Sequence, residues 1–290
     1  MPKTQRMPVL PAPAKLNLTL EVLSRRNDGY HTLRSLMVPI GLYDRIGLET
    51  AQNGTAAVLD ADNLVSRALA GAGVDGPLRV TLEKQIPVGG GLGGGSSDAA
   101  AVLRAAAQGL LASSGRRDWL ATARALGSDV PFFMTGTAAL VEGTGERVTA
   151  LGSVPPWWTV VVQPPLSVAT AEAYRLLDAA RALAGSNRRP RSDSASLRAV
   201  DALQRADFAA LGAELSNDFH APILAAYPEV AAADAALRAA CGSSLLSGSG
   251  SCLFALFEDE ESARTGAARV ERGALKAVFV APFHRDGAWR

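Results

Sequence analysis

Between Pro87 and Asp98 the chain reads Pro-Val-Gly-Gly-Gly-Leu-Gly-Gly-Gly-Ser-Ser-Asp, with six glycines in seven positions. Glycine has no Cβ, so such a run lets the backbone approach a ligand closely and turn several N–H groups toward one point. The flanks decide what the run is for. Leu78, Val80 and Leu82 alternate as in a strand, while Asp98 to Leu111 is rich in alanine and leucine, a strong helix composition. A flexible linker has no reason to sit between two such elements. A glycine loop feeding a helix N-terminus aims amides and the positive helix end at the same ligand, which favours a phosphate. Ser96 and Ser97 add hydroxyls suited to phosphate oxygens or a magnesium ion.

The three common phosphate loops do not fit. A Walker loop needs a lysine after its last glycine, and here Ser96 follows Gly95. Gly89, Gly91 and Gly94 satisfy the dinucleotide-binding spacing, but the residues that follow read as helix up to Trp119, where a second strand ending in an acid is required. The companion motifs of a protein kinase are absent.

At 290 residues and 30.1 kDa the chain has material for about two domains. It is 48% hydrophobic, which excludes disorder even though 54 of those residues are alanine. Twenty-nine Lys and Arg against 28 Asp and Glu leave a net charge of +1, too little to build the broad field of a nucleic-acid or membrane-surface binder. Two cysteines, Cys241 and Cys252, make neither a disulfide framework nor a four-ligand zinc site, and read as reduced thiols. The first 13 residues lack the apolar core of a signal peptide. The uncharged stretches Val148–Ala171 and Ala239–Phe257 are broken by prolines and glycines respectively, so no membrane span is expected. A cytoplasmic protein, monomeric or weakly homodimeric, is the expectation.

From Pro13, Leu16, Leu18, Leu20 and Val22 alternate with Lys15, Asn17, Thr19 and Glu21, predicting one strand with a polar outer face. Asn27-Asp28-Gly29 signals a turn, with a returning strand over Tyr30–Ile40. Further expectations are a helix over Asp118–Leu126, a hairpin about Thr144-Gly145, a buried strand Thr159–Val162 and a helix near Ala171–Ala184. Helices at 199–215 and 228–240 follow, then strand Cys252–Phe257, a helix at 259–272 and strand Leu275–Val280. Pro155-Pro156 is the best domain punctuation, and residues 185–196 read as a solvated loop. The mixture without a strict βαβ period is α+β, in two domains spanning 7–152 and 156–290.

Phosphoryl transfer to an alcohol needs phosphate clamps, a proton acceptor for the hydroxyl and positive charge near the moving group. Asp129, in Gly127-Ser128-Asp129-Val130-Pro131-Phe132-Phe133, stands at an expected helix-to-strand junction. It reads equally well as a turn residue. Lys15 on a polar strand face is most simply an exposed lysine, and His31 a hydrogen-bonded structural histidine. Singly these signals are weak.

Six blocks in order change that: PAKLNLTL, DGYHTL, DNLV, PVGGGLGGGSSDAA, GSDVPFF and LSGSGSC, running from Pro13 to Cys252. Together they resemble the GHMP small-molecule kinases. The tyrosine-histidine pair and the form of the glycine loop resemble the branch that serves non-mevalonate isoprenoid synthesis, on an acceptor carrying a cytidine diphosphate group. The resemblance implies a two-domain GHMP kinase fold with the active site in the cleft between domains, using ATP and Mg²⁺. It implies that Asp129 accepts the proton of the acceptor hydroxyl and that Lys15 lies between that carboxylate and the hydroxyl. Asn63 and Lys84 resemble adenine-pocket residues, and Pro87, Val88, Gly89, Gly90, Gly91, Leu92, Gly93, Gly94, Gly95, Ser96 and Ser97 the triphosphate loop. For the acceptor it implies Asn17, Tyr30 and His31, with Thr170 and with Tyr174 on the opposite face of the cytosine. The metal ligands stay open: Ser97 is one candidate and Glu142 another. A GHMP kinase for homoserine, mevalonate or a sugar is the alternative, with a non-catalytic nucleotide sensor further off. The segment between Glu49 and Asp62 is short for the family, so the rim of the nucleotide site is expected to differ.

Overall fold

The structure, a computed structural model, describes residues 9–50, 60–74, 78–114, 117–184, 194–273 and 275–284. Most of the 185–196 loop and of the short segment after Glu49 therefore lies outside the described residues.

A 20-residue strand, β3 (His31–Thr50), is the spine of a seven-stranded sheet. It continues ten residues past its predicted end because Leu42, Asp44, Ile46 and Leu48 keep the period-two pattern of one buried face. Its first part pairs with β2 (Thr19–Arg25) and β5 (Ala138–Gly143), its later part with β1 (Leu10–Asn17) and β4 (Leu78–Glu83), all antiparallel. β6 (Arg147–Gly152) extends the sheet beyond β5. The single strand expected from Pro13 to Val22 is two, interrupted at Leu18, whose amide instead donates to the Leu36 carbonyl at 2.8 Å. Its polar face is not outer either: Lys15, Asn17 and Thr19 are all buried.

Helices α1 (Leu64–Ala72), α2 (Gly94–Ala107), α3 (Trp119–Leu126) and α4 (Val130–Thr135) build a core with Met37, Ile46 and Leu48. α2 is apolar nearly all round, as befits a helix in the middle of this layer, and its alanines let neighbours pack close. It begins at Gly94, four residues before the predicted start, so Gly94 to Ser97 are its first turn.

The second sheet is antiparallel, in the order β11 (Ala277–Pro282), β7 (Trp158–Gln163), β10 (Leu253–Phe257), β9 (Leu245–Leu246). The chain crosses to it through Pro155-Pro156. α5 (Thr170–Ala184), α8 (His220–Ala226), α9 (Pro228–Cys241) and α10 (Glu260–Arg269) share its outer core. The helix expected at 199–215 is two, α6 (Ala195–Gln204) and α7 (Phe208–Glu214), because Asp207 starts the second by accepting from the Ala210 amide at 2.9 Å.

Between the sheets lies a core that both halves share. Leu36, Val38 and Ile40 meet Val161, Phe254 and Leu256, with Ala202, Leu203 and Leu211 from α6 and α7. The two-residue β8 (Ser216–Asn217), from the C-terminal half, pairs in parallel with β2 of the first sheet.

Candidate active site

A cleft of about 1210 Å³ runs between the two halves, lined by the glycine loop, Lys15, Asp129, Tyr30, His31, Tyr174 and the turn at Gly248–Gly250. The loop ends at Gly93, which holds φ +73° as the residue before α2. The amides of Gly94, Gly95 and Ser96 have no helical acceptor ahead of them, so the positive end of α2 is open for an anion. Close packing also dictates the glycines. A Cβ on Gly91 would strike the Ser247 carbonyl, and one on Gly93 would lie 2.9 Å from the Phe133 ring. The loop is stitched to the C-terminal half: the Cys252 amide donates to the Gly90 carbonyl at 3.1 Å and Ser247 Oγ to that of Gly91 at 3.1 Å. Asn217, unremarked in the sequence, holds the facing turn by donating to the Leu246 and Gly248 carbonyls at 2.7 and 2.8 Å.

Lys15 is 3% exposed, the reverse of the solvated lysine that a polar strand face suggests. Its ammonium donates to Asn17 Oδ1 and stands 3.9 Å from Asp129 Oδ2. Asn17 passes the contact on, donating to Ser35 Oγ at 2.8 Å, and Ser35 donates to the Thr19 carbonyl at 2.5 Å. Burial pushes the Lys15 ammonium below the ordinary lysine pKa, against the raising pull of Asp129. Asp129 sits between two helices rather than at a helix-to-strand junction. It occupies the residue before α4, yet its carboxylate caps no amide there and lines the cleft at 39% exposure. A carboxylate that has no structural hydrogen bond and faces a buried cation is placed to accept a proton.

Lys84 also borders the cleft, but its ammonium is engaged twice, by Asp44 Oδ2 and by Asp98 Oδ2 at 2.7 Å. Asp44, fully buried, also accepts from the Gln85 and Ile86 amides at 2.6 and 2.9 Å. This triad ties the strand end before the glycine loop to the first turns of α2. Burial alone would lower Lys84, but the hydrogen bonds and charges of its two carboxylates outweigh it and raise the pKa. One cation serving two acids leaves the second under-compensated: burial pushes Asp98 up to about 6, Lys84 opposing and Asp44 adding to the rise. Two of the three Lys84 ammonium hydrogens are engaged by these carboxylates, and the third is left on a side chain that lines the cleft. Asn63 lines the cleft while its Oδ1 starts α1 by accepting from the Val65 amide at 2.9 Å, which leaves its carboxamide nitrogen for a ligand.

At the other end Tyr30 projects into solvent at the mouth, 67% exposed, and His31 is buried behind it. His31 stacks on Tyr174, with centroids 4.7 Å apart and 17° between planes, and Phe219 meets Tyr174 edge-on at 4.9 Å. Tyr174 thus supports the histidine while itself lining the cleft. Burial, with Asp129 and Asp178 adding, pushes its phenol up to about 12. His31 Nε2 lies 2.9 Å from Asp178 Oδ1. Thr170, Tyr174 and Asp178 recur at four-residue spacing on α5, so helical periodicity points to Asp178 once the first two are suspected. Thr170 Oγ1 is 3.2 Å from Ser249 Oγ, fastening α5 to the facing turn.

Among the described residues no cluster of three or more His, Cys, Asp or Glu comes together to cage a metal. Glu142 pairs with Arg34 at 2.9 Å on the β5–β3 face, outside the cleft lining. Ser97 is fully buried and, unlike Ser96, does not line the cleft, although its Oγ has no hydrogen-bond partner.

No helix among the described residues is long and apolar enough to cross a membrane. The GHMP kinases N terminal domain matches residues 57–137 and the GHMP kinases C terminal domain residues 199–276. A 4-diphosphocytidyl-2-C-methyl-D-erythritol kinase of Symbiobacterium thermophilum is 39% identical, over 95% of this chain and 96% of that protein. One from Deinococcus radiodurans is 40% identical, over 89% and 86%. A crystal structure of 4-(cytidine 5'-diphospho)-2C-methyl-D-erythritol kinase superposes with TM-score 0.76 at 37% identity, covering 95% of this chain and 98% of that one. A homoserine kinase from Cytophaga hutchinsonii, at 18% identity and TM-score 0.65 over 96% of each chain, shares the fold. With the glycine loop, the lysine-carboxylate pair and this likeness extending over nearly the whole chain, the protein belongs to the 4-diphosphocytidyl-2-C-methyl-D-erythritol kinase family of the GHMP kinases.

Proposed function

We propose that this protein transfers the γ-phosphoryl group of ATP to the 2-hydroxyl of 4-diphosphocytidyl-2-C-methyl-D-erythritol, giving the 2-phosphate and ADP in isoprenoid precursor synthesis. The observation that carries the chemistry is the Lys15–Asp129 pair: a buried ammonium 3.9 Å from a carboxylate, at the same cleft as the open end of α2. Asp129 accepts the proton as the hydroxyl oxygen attacks phosphorus and the bond to the β-phosphate oxygen breaks. Lys15, 3.9 Å from that carboxylate, offsets charge on the transferring group, an effect strengthened by its exclusion from water. The amides of Gly94, Gly95 and Ser96 bind phosphate oxygens, and Asn63 offers its carboxamide nitrogen to the adenine. Lys84 acts on the nucleotide by holding the loop in place. A magnesium ion would be carried chiefly by the nucleotide phosphates, whose charge it would neutralise, with Ser96 and Asp129 as cleft-lining oxygens that would hold it. Tyr30 and His31 receive the cytosine, His31 steadied by Tyr174.

We assign residues 7–152 and 156–290 as the two GHMP regions of a cytoplasmic enzyme, monomeric or weakly dimeric. Both cysteines are free thiols, which suits a reducing compartment. The test is ADP release in the presence of the diphosphocytidyl acceptor, homoserine, mevalonate and galactose in turn, with the product identified by phosphorus NMR. Turnover with the first alone, and phosphate on its 2-oxygen, is expected. Comparable turnover of homoserine or mevalonate would overturn the acceptor assignment and leave the family membership standing.

A further inference from the structure

We infer that Asp178, acting through His31, is the positioning residue that makes the acceptor site prefer cytosine to uracil; the inference rests on the cytidyl-acceptor reading above. Asp178 Oδ1 lies 2.9 Å from His31 Nε2, and an ionised carboxylate only accepts hydrogen bonds. In its neutral form the ring therefore carries its proton on Nε2 and presents Nδ1 as a bare lone pair. His31 lines the cleft, and Nδ1 meets no hydrogen-bond partner among the described residues, so it is the nitrogen left for a ligand. The plane of the ring is fixed independently, by the 4.7 Å stack on Tyr174, which Phe219 braces edge-on. Cytosine carries an amino donor where uracil carries a carbonyl acceptor. A lone pair at Nδ1 accepts from the first and repels the second. Were the proton on Nδ1 instead, the preference would invert. Tyr174 thus sets where the imidazole points, and Asp178 sets what it asks for.

The chain has three histidines, so ¹⁵N-histidine labelling of the full-length protein, with His31→Ala to assign its signals, reads the tautomer directly. In the wild type His31 is expected as the Nε2-protonated form, and CDP is expected to bind more tightly than UDP in calorimetry. Asp178→Ala should give a tautomer mixture and shrink the CDP-to-UDP affinity ratio by ~3- to 10-fold, the worth of one ordinary hydrogen bond. The KM for ATP should not move. Asp178→Asn, which retains an acceptor oxygen, should restore most of the ratio. Equal losses for CDP and UDP in Asp178→Ala, or an unchanged tautomer with the ratio intact, would overturn the positioning role and leave the acceptor reading in place. A wild-type protein that binds CDP and UDP equally well overturns the acceptor reading and the inference with it.

Discussion

Lys15 and Lys84 both flank the glycine loop, and the protein treats their ammonium groups in opposite ways. Lys15 is sealed from water with a single carboxylate at 3.9 Å, and its pKa is lowered because burial dominates. Lys84 is less buried, is bonded to two carboxylates, and its pKa is raised. The first has one carboxylate partner, and in the proposed reaction it offsets the charge that appears during transfer. The second is claimed by two acids before any ligand arrives. A lysine beside a phosphate loop is thus identified as reactive or architectural by how many acids claim it, and proximity alone does not separate the two.

The comparison breaks most decisively on turnover. Asp129→Asn keeps the shape and removes the proton acceptor, so kcat should fall by ~10²–10⁴-fold, while ATP affinity, measured by calorimetry, stays near the wild-type value. Lys15→Met should lower kcat by ~10²–10³-fold, the scale for losing one preorganised electrostatic contact, without lowering the melting temperature. If Lys15→Met instead unfolded the protein and turnover per folded molecule were normal, the two lysines would have the same role.

Lys84→Met should act on stability. It leaves Asp44 and Asp98 buried without their cation, and breaking a buried pair costs ~3–5 kcal/mol. Denaturant titration checks this, and the remaining folded enzyme should show a raised KM for ATP because the strand end before the loop is no longer tied to α2. An unperturbed denaturation midpoint would show that the triad is not the anchor of the loop.

The smallest effect concerns acid. Asp98, with its ordinary value of 3.8 raised to about 6, holds a proton in the folded chain that the unfolded chain has already released across that interval. Its contribution to stability is therefore greatest at the acid end and declines as pH rises through that window. Asp98→Asn should flatten that decline when urea midpoints are compared between pH 4 and pH 7. A slope identical to the wild type would show that Asp98 is not the group that takes up the proton.

The sequence made the loop, the helix behind it and most strands legible because each carries a local signal: a run of glycines, an alanine-rich stretch, alternation. Asp129 and Lys15 were legible only as members of an ordered set of motifs, since a lone Asp after Gly-Ser and a Lys on a polar strand face have commonplace readings. Burial of that face could not be read from alternation, because alternation separates the two faces of a strand without saying which one is dry. Asp44 left a trace, a carboxylate in the apolar row Leu42, Ile46, Leu48 on one face of β3. Asn217 left none, since its role depends on the Leu246 and Gly248 carbonyls arriving from 29 and 31 residues away. The start of α2 was misplaced because glycine and serine have poor helix propensity, and here the close packing of Gly93 and Gly94 against Phe133 and Ile86 overrides it.

The core between the sheets has a bearing on how substrates enter. Domains pivot about a shared surface when that surface is small and polar. Here Leu36 to Ile40 of one sheet interlock with Val161 and Phe254 of the other, and β8 is woven into the opposite half. A hinge would have to tear this seam. The exposed apolar side chains of the cleft lining, Tyr30 at 67% and Val88 at 76%, belong to its rim and not to this seam. A chain severed at Pro155-Pro156 would yield two pieces, each with its side of the shared core exposed to water.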